Sequence, residues 1–311
     1  MRVVAVDRMG VVVLRFFRRR GSAPVQTATP VVPPAPVDPA VLIARERVEA
    51  RRRAVRSDAS SLPGLALALN ELGISMSKAG DEAGALGATR EALDIYRRLA
   101  QVDPEEFRPY LALTLNNLGL RLSATGHDQA ALEPSREAVA IARRLAEEEP
   151  ARLPDLASAL NGLGTRLVQA GDESAGFGAI AEAVGIQRRL ADEAPAAHLP
   201  KLAVMLNGLG ARLMLAGDRD DAVVSLRQAV DIRRRMAESG ATKDLSALAW
   251  SLRLAASIGD AHAIALDTSL SAVHESISIY QALAVQGSGA SEDDLAEAER
   301  TRTMIVERLE R

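Results

Sequence analysis

The chain has 311 residues, no cysteine and a formal net charge of -3, so disulfides, thiolate metal sites and cysteine nucleophiles are excluded, as is a basic footprint for nucleic acid. Hydrophobic residues make up 48% but aromatics only 3%, so the apolar material is Ala, Leu and Val, which suits closely packed helix pairs. No apolar run approaches the roughly 18 residues needed to span a bilayer.

At the N-terminus, Val3 to Val6 and Val11 to Leu14 are apolar, but Asp7, Arg8 and Arg15 break the run and Arg18-Arg19-Arg20 follow it. A secretory h-region needs about 7–15 unbroken apolar residues, so a short β-hairpin or an unstructured start is expected here, and the cytoplasm is the expected compartment. Prolines 24, 30, 33, 34, 36 and 39 then fix φ and remove donors, which reads as a flexible, extended linker. Residues 1–38 are therefore set apart from a helical array over 39–290 and a final capping helix over 291–311.

The array announces itself by Leu-Asn-x-Leu-Gly, which begins at Leu69, Leu115, Leu160 and Leu206. Its asparagines, Asn70, Asn116, Asn161 and Asn207, are 46, 45 and 46 residues apart. Such a period means stacked copies of one supersecondary unit, each unable to bury its apolar face alone.

In one copy, Pro109 is expected to open a first helix with the stripe Leu111, Leu115, Leu118 and Leu122. Pro63, Pro154 and Pro200 recur in the other copies. Gly80, Gly126, Gly171 and Gly217 should end the first helices. Asp81, Asp128, Asp172 and Asp218 are placed to cap the second. The second helix buries a small residue (Ala92, Ala138, Ala183, Ala229), which lets the antiparallel partner come close. It ends in a double arginine (Arg97-Arg98, Arg143-Arg144, Arg188-Arg189, Arg233-Arg234). Cations there complement the helix dipole, and a solvated helix end is preferred over a phosphate-binding row.

Residues 40–57 align with a lone second helix, Arg52-Arg53 lying in the double-arginine place. A degenerate fifth repeat over about 243–286 puts Trp250 where the asparagine stood. Ser291 with Glu292, Asp293 and Asp294 should start the last helix, with Leu295, Ile305, Val306 and Leu309 as its buried face.

The Leu-Gly pair, the helix-ending glycine and the small residues of the second helix resemble the tetratricopeptide repeat in order. The units are about eleven residues longer than that family's typical 34. Leu115-Asn116-Asn117-Leu118 and Leu132-Glu133-Pro134 are similar to the longer repeats of kinesin light chain. The resemblance covers roughly residues 40–286. It implies an all-α fold: a right-handed α-solenoid of antiparallel helix pairs, about five repeats plus flanking helices. It also implies a non-catalytic scaffold that binds a protein or extended peptide on a concave face lined by first helices.

Some members of the family hold a peptide backbone with a row of asparagines, since an amide offers both donor and acceptor. Here the row would be Asn70, Asn116, Asn161 and Asn207. The other reading is that each asparagine bridges to the neighbouring repeat, and both stay open. Helical spacing puts Leu113, Leu120, Thr165, Val204 and Met214 on the same face, with Leu67 and Ile74 in the first copy. This surface is neutral to apolar and suits a ligand with apolar side chains. Arg121, Arg166 and Arg212 form another periodic row, expected to pair with Glu or Asp of an adjacent helix.

The four histidines, His127, His198, His262 and His274, have no metal-ligand spacing, and there is no P-loop, Gly-x-Gly-x-x-Gly or Gly-x-Ser-x-Gly. No enzyme activity, metal or cofactor is expected. The alternative role is a sensor or regulatory repeat module working with a signalling ATPase or a caspase-like protease.

Overall fold

The computed structural model describes residues 4–6, 12–14, 38–238, 242–260, 266–287 and 292–310. The Pro-rich segment, His262 and Ser291 lie outside them. Near the N-terminus, β1 (Val4–Val6) pairs antiparallel with β2 (Val12–Leu14), Ala5 opposite Val13. All else that is regular is helical.

The chain divides into two compact units, Met1–Ala170 and Gly171–Arg311. In the first unit, α1 (Pro39–Ser57) precedes α2 (Leu62–Lys78), α3 (Glu82–Val102), α4 (Pro104–Ala124), α5 (Asp128–Glu148) and α6 (Leu153–Gln169). Within this unit each helix packs on the next, and α4 also touches α6. The second unit holds α7 (Glu173–Glu193), α8 (Pro195–Ala216), α9 (Arg219–Ala237), α10 (Thr242–Asp260), α11 (Leu266–Val285) and α12 (Glu292–Leu309). There too each helix packs on its successor, and α12 returns to α10. The protein is thus an all-α array of stacked helix hairpins.

The turn chemistry follows the sequence. Gly80, Gly126, Gly171 and Gly217 have φ of 85°, 80°, 92° and 89°, the left-handed region that costs other residues a clash with their own Cβ. Asp81 accepts from Gly84 N and Asp172 from Ala175 N, as N-caps should. The second turn departs: His127 is the cap residue of α5, and Asp128, already inside the helix, accepts from the Ser123 hydroxyl. In the fourth, Asp218 is the cap residue of α9 but makes no side-chain capping bond.

The close approach also follows. Ala92, Ala138, Ala183 and Ala229 have no exposed surface. A Cβ on Gly73 would come within 2.9 Å of Thr89 Oγ1 and 3.3 Å of the Ala85 carbonyl, so α2 and α3 meet nearly backbone to backbone.

Two helix starts differ from expectation. Pro63 and Pro154 sit in the first turns of α2 and α6, each behind a 3-10 turn. Pro109 and Pro200 lie inside α4 and α8, which start at Pro104 and Pro195 instead. In α4 the reason is local: Asp103 accepts from Glu106 N, proline fills the first position and Glu105 and Glu106 favour the positive end. Extending the helices by a turn absorbs much of the added length of the repeat, with α4 and α5 at 21 residues each.

In the first unit, Val41, Ala44 and Val48 of α1 cluster with Leu65, Leu69, Leu72 and Met76 of α2. In the second, Ile305 and Ala298 of α12 close a cluster with Ala249, Val273, Ile277 and Tyr280. Leu295 packs at its edge, whereas Leu309, expected inside, is exposed.

One helix among the described residues, α8, is long and apolar enough by length and composition to cross a bilayer. It contains no unbroken apolar run of that length, because Lys201 and Arg212 punctuate it. It packs on α7, α9 and, more lightly, α10.

Candidate functional site: the face of the first helices

On α2, Leu65, Leu69, Leu72 and Met76 turn inward, which leaves Leu67 and Ile74, two turns apart, on the outer face at 50% and 41% exposure. On α4, Leu111, Leu115, Leu118 and Leu122 are buried, and Leu113 and Leu120 stand out at 55% and 48%. Exposing four large aliphatic side chains on two linked helices has no packing benefit within the unit. Further along, on α6, the face becomes polar. Ser158 is exposed and donates to the Pro154 carbonyl, while half-buried Thr165 donates to that of Asn161. In the second unit, Val204 on α8 is exposed and Met214 half-buried.

The asparagines divide into two kinds. Asn70 and Asn207 are buried. Asn70 Nδ2 donates to Thr114 Oγ1 of α4 at 2.8 Å, and Asn207 Nδ2 to Ser251 Oγ of α10 at 2.8 Å. Each partner is 44 residues on, so the amide ties one first helix to the next. Since Ser251 holds the place of Thr114, the residue matching the asparagine in the fifth repeat is Arg253, not Trp250. Asn116 and Asn161 are half-buried. The position that would supply Asn116 with a hydroxyl is Ala159, and Asn116 instead accepts from Arg166, through its backbone oxygen at 2.6 Å and its Oδ1 at 3.2 Å.

The arginine row divides as well. Arg121 pairs with Glu82 of α3 at 3.2 Å and reaches the Ser77 hydroxyl, as expected. Arg166 is 3% exposed and takes Asn116 as partner, with no carboxylate in ion-pair range among the described residues. Burial, and then the nearby Arg121, push its guanidinium down to about 10. It is boxed in, since a Cβ on Gly119 would lie 2.8 Å from its Nε and one on Gly162 2.6 Å from its Nη1. Arg212 folds back onto the Gly208 carbonyl at 2.8 Å, and burial lowers its pKa. The sequence carried one sign of this: glycine stands four residues before Arg166 and Arg212, where Asn117 precedes Arg121.

The double arginines are also resolved. The register set by Ala183 and Ala229 makes the α9 pair Arg234-Arg235, with Arg233 in the place of Gln187, and not Arg233-Arg234. Within the first unit Arg52 pairs with Glu91 at 2.7 Å and Arg97 with Glu137 at 2.9 Å. Within the second Arg188 meets Gln228 at 2.5 Å and Arg234 meets Glu275 at 2.5 Å. One arginine of each of these four pairs thus links successive second helices.

The family model for the tetratricopeptide repeat matches residues 111–151 and 202–239. No curated protein matches the chain by sequence. Among solved structures, BtubC (BKLC) from P. vanneervenii superposes with a TM-score of 0.61 at 22% identity, over 78% of this chain and 91% of that one. A Podosopora anserina protein described as a kinesin light chain with nearly identical TPR-like repeats gives 0.51 at 20% identity, over 70% of this chain and 95% of its own. At these identities the likeness is one of fold. The chain thus carries tetratricopeptide repeats at residues 111–151 and 202–239, and its fold is similar to that of these kinesin light chain-like repeat structures.

Proposed function

We propose that this protein is a non-catalytic scaffold that binds an extended segment of a partner protein across α2 and α4, by apolar side chains. The observation that carries the reading is the exposed quartet Leu67, Ile74, Leu113 and Leu120 on two first helices held in register by the Asn70–Thr114 bond. Tetratricopeptide repeats commonly serve as protein-interaction surfaces, which supports it. Leu113 and Leu120 are the central contacts in this reading. Asn116, Asn161 and Thr165 border the apolar stretch, and Val204 and Met214 form the matching stretch of the second unit. Asn70 and Asn207 hold the helices and do not touch the ligand.

The test is a pull-down with the full chain, with Leu113→Asp/Leu120→Asp and with Arg98→Asp as a surface control. Proteins kept by wild type and by Arg98→Asp but lost by the leucine variant, with helicity unchanged, support the reading. Equal retention by all three sinks it.

A further inference from the structure

A cavity of about 420 Å³ opens in the second unit where α8 begins, α9 ends and α10 begins. Pro195, Leu199 and Pro200 of α8 and Met236 of α9 give it apolar walls, and Ala196 sits at its edge. Arg233 reaches into it from α9, and Lys243 and Asp244 face it from α10.

Arg233 is the anomaly. It is 9% exposed, and its Nε is buried with no hydrogen-bond partner. Among the described residues it makes one hydrogen bond, from Nη2 to the Pro200 carbonyl, which is long at 3.4 Å. Among the described residues no carboxylate comes within ion-pair distance of it, whereas its neighbour Arg234 has Glu275 at 2.5 Å. A buried cation left so costs several kcal/mol unless something compensates it.

The other repeats fill this position differently. One repeat earlier it is Gln187, fully buried, whose amide donates to the His198 carbonyl at 3.0 Å. In the first unit it is buried Ala142 on α5 and, on α3, Tyr96, buried and stacked on Tyr110 at 5.5 Å. There an aromatic ring occupies the joint. Here a guanidinium and empty space do.

We propose that this cavity is a binding site for a small monocarboxylate with an apolar chain, the carboxylate on Arg233 and the chain between Pro200 and Met236. The planar fork of arginine matches a carboxylate in two parallel hydrogen bonds, and Arg233 has a donor to spare. Asp244 acts on Arg233 through space without ion-pairing with it, and Lys243 adds a second cation. The three charges sum to one positive charge, so a monoanion suits the site better than a phosphate dianion. The volume lies within the usual range for small-ligand sites of about 300–1,000 Å³, and the aliphatic and proline walls favour a chain over water. The same chemistry is offered by a free short-chain acid and by the C-terminus of a protein ending in an aliphatic residue.

Calorimetric titration of the full chain with hexanoate, hexanamide and an acetylated tripeptide ending in leucine carboxylate tests this. Saturable binding is expected for at least one carboxylate, with hexanamide at least tenfold weaker. Hexanoate alone indicates a free acid, and the tripeptide alone indicates a chain end. Arg233→Gln, the residue that α7 carries at the matching position, should fold as well as wild type and bind at least tenfold more weakly. Ala196→Trp should lose binding with the charge intact. Failure of both carboxylates to bind, or equal binding to wild type and Arg233→Gln, overturns the proposal.

Discussion

Asn70 on α2 donates its side-chain amide to Thr114 Oγ1 on α4, and the Thr114 hydroxyl donates in turn to the Tyr110 carbonyl, each bond 2.8 Å long. Both side chains are buried, so losing either end strands a polar group. Thr114→Val keeps the shape and removes the acceptor, and should cost about 1–3 kcal/mol. Asn70→Leu with Thr114→Val should recover part of that loss. A urea-denaturation double-mutant cycle gives the coupling, and a cycle that closes to zero would place the amide outside the interface.

The links between second helices should behave differently. Arg97 and Glu137 lie 2.9 Å apart but keep 50% and 39% of their side-chain surface exposed. Solvent screening limits such a pair to about 0.2–1 kcal/mol, fading with salt. Cycles on Arg97→Ala and Glu137→Ala at low and high sodium chloride should show this; a coupling that salt leaves unchanged would contradict it.

Gly162 is held small by the Asn116 amide and the Arg166 guanidinium together. A methyl there would meet the Asn116 amide oxygen and lie 2.6 Å from Arg166 Nη1, and Gly119 blocks the guanidinium's retreat. Gly162→Ala should therefore destabilise by about 1–3 kcal/mol despite alanine's better helix propensity. Arg166→Met should be neutral or stabilising because it removes a buried cation with no carboxylate partner among the described residues, which outweighs the loss of its hydrogen bonds to Asn116. Combined, the two changes should exceed wild type in melting temperature. A double variant no better than Gly162→Ala alone would show that the guanidinium is not part of what excludes the methyl.

Burial, with a smaller contribution from Tyr110, raises the Tyr96 phenol to about 12. In the unfolded chain a tyrosine ionises near 10. The folded form therefore holds its proton longer, and the stability it contributes is full below pH 10 and lost as pH rises towards 12. Tyr280, also raised to about 12 by burial, acts in the same direction in the second unit. Tyr96→Phe should flatten the fall in melting temperature between pH 9 and 11.5, and a profile parallel to wild type would refute this.

The fold was legible because its instructions are local and repeated. A glycine with φ near 85° and a fully buried alanine recur at the same register in every copy, and each acts on its immediate neighbours. The same regularity misled at Pro109 and Pro200. Their period matched Pro63 and Pro154, but the Asp103-Pro104 start lies five residues earlier and overrides it. In the candidate site, spacing alone placed Leu113 and Leu120 outside. It could not sort the asparagines, because each one's role depends on what stands about 44 residues later: Thr114 and Ser251 draw Asn70 and Asn207 inward, and Ala159 leaves Asn116 to Arg166. The cavity beside Arg233 was further out of reach, since it arises from three helix ends meeting around a side chain that is tyrosine in α3, alanine in α5 and glutamine in α7.

The ties between repeats have a direction. In each unit, the arginine of a second helix reaches forward to an acceptor on the following one, Arg52 to Glu91 and Arg97 to Glu137, then Arg188 to Gln228 and Arg234 to Glu275. Each repeat is therefore a coupling piece with a plug at one end and a socket at the other. A whole-period duplication inserts a piece that mates on both sides, whereas a gain or loss of a fraction of a period orphans every pair at the joint. Full-period steps are thus the changes in length that keep every such pair mated.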